Sequence, residues 1–242
     1  WKFPRADFSN IEMRLIAKLF NDPVMCQAFK DNLDMHILMG SKIYYNLQSS
    51  EWHLLMEVYD RLKQAIIAGD YDAKHARQSA KCSNFGLGYG AGAEKYQQLN
   101  WKDYDRDISL DQATGERKQW RELFAGVAQY HKKIGNQLDE HKGLLCPESS
   151  LGRRRWVRGY SAGINHPIQS TSGEITKAAQ IRLCRDVNIV LVIHDEFIAH
   201  EPEDQAELAV AYMKTVMEEE GQKYLGDVPC VVDTEILDAW GA

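Results

Sequence analysis

Cysteine, proline and long apolar runs are all scarce in this chain of 242 residues. Its 5 cysteines, Cys26, Cys82, Cys146, Cys184 and Cys230, lie at least 38 residues apart, which excludes a CxxC pair, a zinc ribbon and a dense disulfide framework. No segment approaches the roughly 18 uninterrupted apolar residues of a membrane span. The opening Trp1-Lys2-Phe3-Pro4-Arg5 lacks the shape of a signal peptide. The expectation is therefore a cytoplasmic protein with no membrane partner. Low-complexity and collagen-like stretches are also missing. What is present, 44% hydrophobic and 26% charged residues, is the composition of a folded chain with one large core or two intimately packed ones. The start on Trp1 instead of Met is expected of a piece of something longer, although a processed chain would look the same.

The net charge of −6 argues weakly against nucleic acid as a partner, but the charge is unevenly spread. Residues 195–242 hold 13 acids and 2 bases, a net −11, so residues 1–194 carry −6 + 11 = +5. The most basic stretch, 141–160, sets Lys142, Arg153, Arg154, Arg155 and Arg158 against Glu148 alone. A patch of that bias is able to hold phosphates, although a solvated Arg-rich turn has the same composition.

Periodicity predicts a strand over 1–6 leading to Asp7, then a helix with Ile11, Leu15, Ile16 and Leu19 on one face, stopped by Asp22-Pro23. Further helices are predicted over 24–45, 51–67, 73–87 and 114–141. After Pro147 come a Gly-Arg turn, a short strand at 156–157 and a helix over 169–185. A hairpin of 187–193 and 197–200 follows, with His194, Asp195 and Glu196 at its tip. A helix over 203–220 and a strand over 228–237 complete the pattern. Strands at both ends with helices between predict an α+β fold, a sheet-based domain interrupted by a helical insertion.

Two constellations carry chemistry. Asp7 at a strand end and Asp195-Glu196 between two apolar strands place carboxylates where they need solvent or a cation, and paired strand-end acids suit Mg²⁺. Each alone is equally at home as a turn or cap residue. Arg77, Lys81, Phe85 and Tyr89 recur every four residues, and four residues turn a helix by about 400°, so they form one slowly drifting stripe. Two cations followed by two aromatics suit a nucleoside triphosphate; a basic face passing into a core-facing aromatic one would look the same.

These residues fall in segments that resemble the family A DNA polymerases. Asp7-Phe8-Ser9-Asn10-Ile11-Glu12-Met13-Arg14 is similar to motif A of that family, and residues 77–90, with Arg77, Lys81, Asn84, Phe85, Gly86, Tyr89 and Gly90, to motif B. Ile193-His194-Asp195-Glu196 is similar to motif C. Leu151-Gly152-Arg153-Arg154-Arg155 and Asn165-His166-Pro167-Ile168-Gln169 resemble two further elements, and all five stand in the family order. Asn10, Gln78 and Ser170 depart from the usual residues, and Ser170 leans towards phage-type members.

The resemblance implies a DNA-directed DNA polymerase, a nucleotidyltransferase with an antiparallel palm sheet interrupted by mostly helical fingers: palm over 1–30 and 146–242, fingers over 31–145, motif B helix near 73–89. It implies two Mg²⁺ ions held by Asp7, Asp195 and the Phe8 carbonyl, with Glu196 as a supporting acid. Asn10, His36, Arg77 and Lys81 would contact the dNTP, Lys81 also giving a proton to pyrophosphate. Glu12, Phe85 and Tyr89 would select the sugar. Primer-template DNA would meet Arg153, Arg154, Asn165, Gln169 and His194. A thumb and exonuclease portion would lie upstream or on a separate chain, in a bacterial or phage-infected cell. A catalytically idle nucleotide- or DNA-binding module, or half of a split polymerase inactive alone, are the alternatives.

Overall fold

The computed structural model describes residues 1–239, which form two compact units. The first comprises 1–19, 146–156 and 166 onwards; the second comprises 20–145 and 157–165. Among the described residues, no helix is long and apolar enough to cross a membrane.

The first unit is built on an antiparallel sheet of β1 (Phe3–Phe8), β4 (Ile189–Ile193), β5 (Glu196–Ala199) and β6 (Val232–Leu237), in the order β4-β5-β1-β6. In β1 the alternation is strict: Pro4, Ala6 and Phe8 are buried, while Phe3, Arg5 and Asp7 point to the other face. Asp7 thus lies inside the strand and not after it. Helix α10 (Ala206–Leu225) packs on β1 and β6 with Met213, Val216 and Met217 fully buried. At Gly221 the helix comes so near the sheet that a Cβ would collide with Cys230 Sγ and sit 3.3 Å from Phe8 Cε1. Helix α1 (Ile11–Leu19) buries Ile11, Leu15 and Ile16 as predicted. Arg14 is also buried there, donating to the carbonyls of Ser9 at 2.7 Å and Pro229 at 2.7 Å.

The second unit is helical: α2 (Pro23–Lys30), α3 (Met35–Tyr44), α4 (Trp52–Ile67), α5 (Tyr71–Cys82), a π-helical turn (Ser83–Leu87), α6 (Ala93–Tyr104), α7 (Leu110–Leu123) and α8 (Ala125–Glu140). A two-stranded ribbon pairs β2 (Leu144–Leu145) with β3 (Val157–Arg158). Asp22-Pro23 follows the end of α1, as predicted, and also starts α2. Asp22 is fully buried; its Oδ1 accepts from Met25 N at 2.9 Å to cap α2, and its Oδ2 accepts from Gly126 N at 2.8 Å at the start of α8. This double cap ties the residues just after 19 to the second unit. The predicted helix over 24–45 is two, because Asp34 caps α3 by accepting from His36 N at 2.7 Å and Ile37 N at 3.0 Å. The predicted helix over 114–141 is also two, divided at Phe124, where the chain leaves helical geometry.

Helix α9 (Tyr160–Leu183) begins well before the predicted 169 and runs through Pro167, its residues up to 165 belonging to the second unit and the remainder to the first. Proline deletes one helical hydrogen bond, and the burial of Ile164, Ile168, Ile175 and Ala179 outweighs that loss. The helix predicted over 51–67 is α4, which packs against α3. The loop before α4 is anchored by fully buried Lys42, whose Nζ donates to the carbonyls of Leu47 at 3.0 Å and Ser49 at 2.8 Å.

Candidate active site

On the open face of the first unit's sheet the strand register assembles a row of acids. Asp7 lies opposite Glu196 on β5 and opposite Asp233 on β6, and cross-strand partners share a face. Asp195 stands in the two-residue turn between β4 and β5, since Ile193 pairs with Glu196; the preceding His194 takes a left-handed φ of 57°. That conformation is uncommon for a residue other than glycine. Asn10 is likewise left-handed, φ 55°, in the tight turn from β1 into α1.

The electrostatics are those of charges short of a counter-ion. Burial, then repulsion from Asp195 and Glu196, pushes the Asp7 carboxyl up to about 6. Burial also raises Asp195, with Glu196 adding to it, and raises Glu12, with Asp195 adding to it. Glu196 has a close cation: Arg5 Nε and Nη2 donate to its Oε2 at 2.8 Å and 2.6 Å. Among the described residues no three His, Cys, Asp or Glu side chains form a complete metal-ligand set. Mg²⁺ needs none, because it takes one or two carboxylates and completes its shell with water and substrate phosphates. The oxygen-only donors and their mutual repulsion fit such a hard cation. Asp233 and Arg5 were missed in sequence, and the strand alternation around each was the only signal available.

The second unit gathers the other group. Arg77 and Lys81 lie on α5, Phe85 in the π-helical turn and Tyr89 just beyond it. A π turn closes its hydrogen bonds from i to i+5, so its wider coil offsets the drift that four-residue spacing has on an α-helix. Arg77 donates through Nε and Nη2 to Asp34 Oδ2 at 2.8 Å and 2.7 Å. Burial favours a protonated Asp34, but the Ile37 amide and Arg77 outweigh it and hold the carboxyl below its usual range. His36 packs its ring 5.7 Å from that of Phe85, and burial lowers it to about 4, with Arg77 and Lys81 adding to the shift and Asp34 opposing it. His36 is therefore neutral at physiological pH, a hydrogen-bonding group and not a cation. Tyr89 and Asn165 meet in a cavity of about 320 Å³, also lined by Phe85, Lys95 and Tyr104. The Tyr89 hydroxyl and Asn165 Oδ1 are buried there with no partner among the described residues.

The structure ties the π-helical turn down through polar contacts that sequence reasoning did not find. The Ser83 hydroxyl lies 2.6 Å from the Tyr96 hydroxyl, which donates to Glu116 Oε2 at 2.7 Å; Arg106 grips both oxygens of Glu116. Asn84 reaches both α3 and α7.

The arginines expected at DNA phosphates have protein partners. Arg153 Nε donates to Glu174 Oε1 at 3.0 Å and Arg154 Nε to Glu148 Oε2 at 2.6 Å, both at the surface of the first unit. Gln169 is exposed on α9.

An antiparallel sheet bearing desolvated acids, in a chain that also builds a helical unit with a cation-aromatic stripe, defines an α+β protein with an acidic, oxygen-lined site. The chain belongs to DNA polymerase family A, whose family model matches residues 56–242. It is 28% identical over 248 residues to DNA polymerase I of Aquifex aeolicus, covering 98% of this chain and 39% of that protein. It is 29% identical over 245 residues to the DNA polymerase of Mycobacterium phage D29, covering 98% of this chain and 34% of that one. The chain thus spans about two fifths or less of the length of these relatives. Its fold is similar to the solved POL domain of Pol1 from M. smegmatis in complex with DNA primer-template and dNTP, with a TM-score of 0.74 and 23% identity over 99% of this chain and 40% of that one.

Proposed function

We propose that this chain carries the palm and fingers of a DNA polymerase and performs template-directed nucleotidyl transfer from a dNTP to a primer 3′-hydroxyl, releasing pyrophosphate. The palm comprises 1–30 and 146–242 and the fingers 31–145. The observation that carries the reading is the cross-strand row of Asp7 and Glu196 with Asp195 in the adjoining turn, acids raised by burial and by one another.

Asp7, Asp195 and the Phe8 carbonyl would hold two Mg²⁺ ions, and Glu196, oriented by Arg5, would support them. When bound, the metal neutralises the triphosphate and lowers the pKa of the primer hydroxyl. Arg77 and Lys81 bind the phosphates as cations, His36 as a neutral donor, and Lys81 supplies the proton that pyrophosphate takes as it leaves. Asn10 borders the same nucleotide. Glu12 packs under the sugar C2′ and excludes a ribose hydroxyl, while Phe85 and Tyr89 frame the sugar and base. His194, Asn165 and Gln169 face the primer terminus and the minor groove, where acceptors vary little with sequence. Arg153 and Arg154 exchange their carboxylate partners for backbone phosphates. The relatives are longer than this chain, and a thumb and exonuclease portion, upstream or on a separate chain, supplies the grip on duplex DNA.

The test is Mg²⁺-dependent extension of a primed template by the chain, alone and with a thumb-plus-exonuclease portion added, beside Asp195→Asn. Extension that the substitution abolishes is the expected result. A folded chain that extends nothing under either condition would overturn it and leave an idle binding module.

A further inference from the structure

Asn84 is fully buried in the π-helical turn and touches three groups at once. Trp120 Nε1 lies 3.1 Å from its Oδ1. An indole nitrogen only donates, so the atom facing it must be the amide oxygen, and the orientation of the Asn84 amide is thereby fixed. Its Nδ2 then faces the Met35 carbonyl at 2.9 Å and His36 Nδ1 at 3.0 Å. An NH₂ group has two hydrogens, and each has one of these acceptors. His36 Nδ1 must accept, and in a neutral imidazole that puts the proton on Nε2. Trp120 is itself fully buried, so no water competes for the first bond of the relay. Nε2 has no hydrogen bond to any described residue.

We infer that Trp120 and Asn84 are positioning residues that lock His36 in its Nε2–H form, aiming a neutral donor at a phosphate oxygen of the incoming nucleotide. The phosphate half of this inference rests on the proposed function; the tautomer half does not. The charged groups facing His36 are Asp34, Arg77 and Lys81, and burial together with the two cations keeps the ring uncharged. A neutral donor suits this place, since a third full charge beside Arg77 and Lys81 would be repelled whenever no nucleotide is bound.

Long-range ¹H–¹⁵N spectra of the histidine-labelled chain test the tautomer, with His36→Gln assigning the signal among the 8 histidines. His131 is a built-in standard, because its Nε2 lies 3.1 Å from the Gly88 carbonyl and must carry a proton. His36 should match it, with Nδ1 unprotonated. In Asn84→Asp the carboxylate only accepts, so a proton should appear on Nδ1. Wild-type His36 protonated on Nδ1 overturns the inference whether or not the variant folds, as does a folded Asn84→Asp protein with an unchanged spectrum. For the phosphate half, dATP with Mg²⁺ should shift the Nε2 signal. His36→Ala should weaken dATP binding roughly tenfold, the worth of one hydrogen bond, and His36→Gln, whose amide nitrogen replaces the Nε2 donor, should recover most of it. Wild-type dATP affinity in His36→Ala would overturn the phosphate half alone and remove His36 from the nucleotide site, whatever the spectra show.

Discussion

Asp7→Asn should make the metal-free protein more stable at neutral pH, although it removes a residue assigned to the reaction. Asn keeps the shape of the side chain and discards the charge. The Asp7 carboxyl sits at about 6 in the folded chain against an ordinary 3.8, chiefly through burial and secondly through Asp195 and Glu196. Two units correspond to about 3 kcal/mol; solvent reaching this half-buried group reduces that to roughly 1–2 kcal/mol. The sign follows from linkage. A carboxyl whose folded pKa is raised favours the folded state below its unfolded pKa, and that advantage is lost as pH rises through the folded value. The variant's gain should therefore be full above about pH 7 and fade towards pH 4. For a chain of this size it corresponds to a rise in Tm of about 3–6 °C. Thermal melts in EDTA at the two pH extremes measure it, and Mg²⁺ added at neutral pH should then stabilise the wild type more than the variant. An Asn variant that melts below wild type in EDTA at neutral pH, or one whose gain is equal at both extremes, would refute the assignment of Asp7 to a self-repelling acidic cluster.

Phe85→Tyr should raise the use of dideoxynucleotides relative to deoxynucleotides by roughly tenfold, because a hydroxyl then stands in for the missing 3′-oxygen; single-nucleotide incorporation ratios measure it, and an unchanged ratio removes Phe85 from the sugar. Glu12→Ala should admit ribonucleotides by a factor of roughly 10–100, and a variant as strict as wild type in the same assay would end the gate assignment. Glu116→Leu should cost about 3–5 kcal/mol, since it leaves the Arg106 guanidinium and the Tyr96 hydroxyl buried without their acceptor. Urea denaturation reads that loss, and a midpoint within error of wild type would show the network to be dispensable.

Local chemistry was legible in the sequence wherever neighbours along the chain decide the outcome. The first strand, the apolar spacing of α1 and the polar tip between β4 and β5 all reappear in the fold, because each is a property of a few consecutive residues. The α+β class followed from the same signals. Boundaries failed where a side chain serves a distant partner. Asp22 read as a stop alone, and its second role stayed hidden because the other backbone amide that it caps belongs to Gly126, far along the chain. The start of α9 was placed at 169 and not at 160 because the buried contacts that hold the helix through Pro167 come from other segments. The stripe of Arg77, Lys81, Phe85 and Tyr89 was visible as a spacing, but the π turn that straightens it was not.

Residue types and their order thus determined by themselves the family, the fold class and which side chains are candidates for chemistry, since these depend on local pattern and composition. Only the tertiary structure decided which candidates stand together and in what state. Strand pairing between segments nearly two hundred residues apart sets Glu196 opposite Asp7 and adds Asp233; the packing of α3 and α7 on the π-helical turn gives His36 its tautomer, and the packing of α3 on α5 gives Arg77 its carboxylate. Register and burial are non-local, and a carboxylate or an imidazole takes its charge from the surroundings that they create.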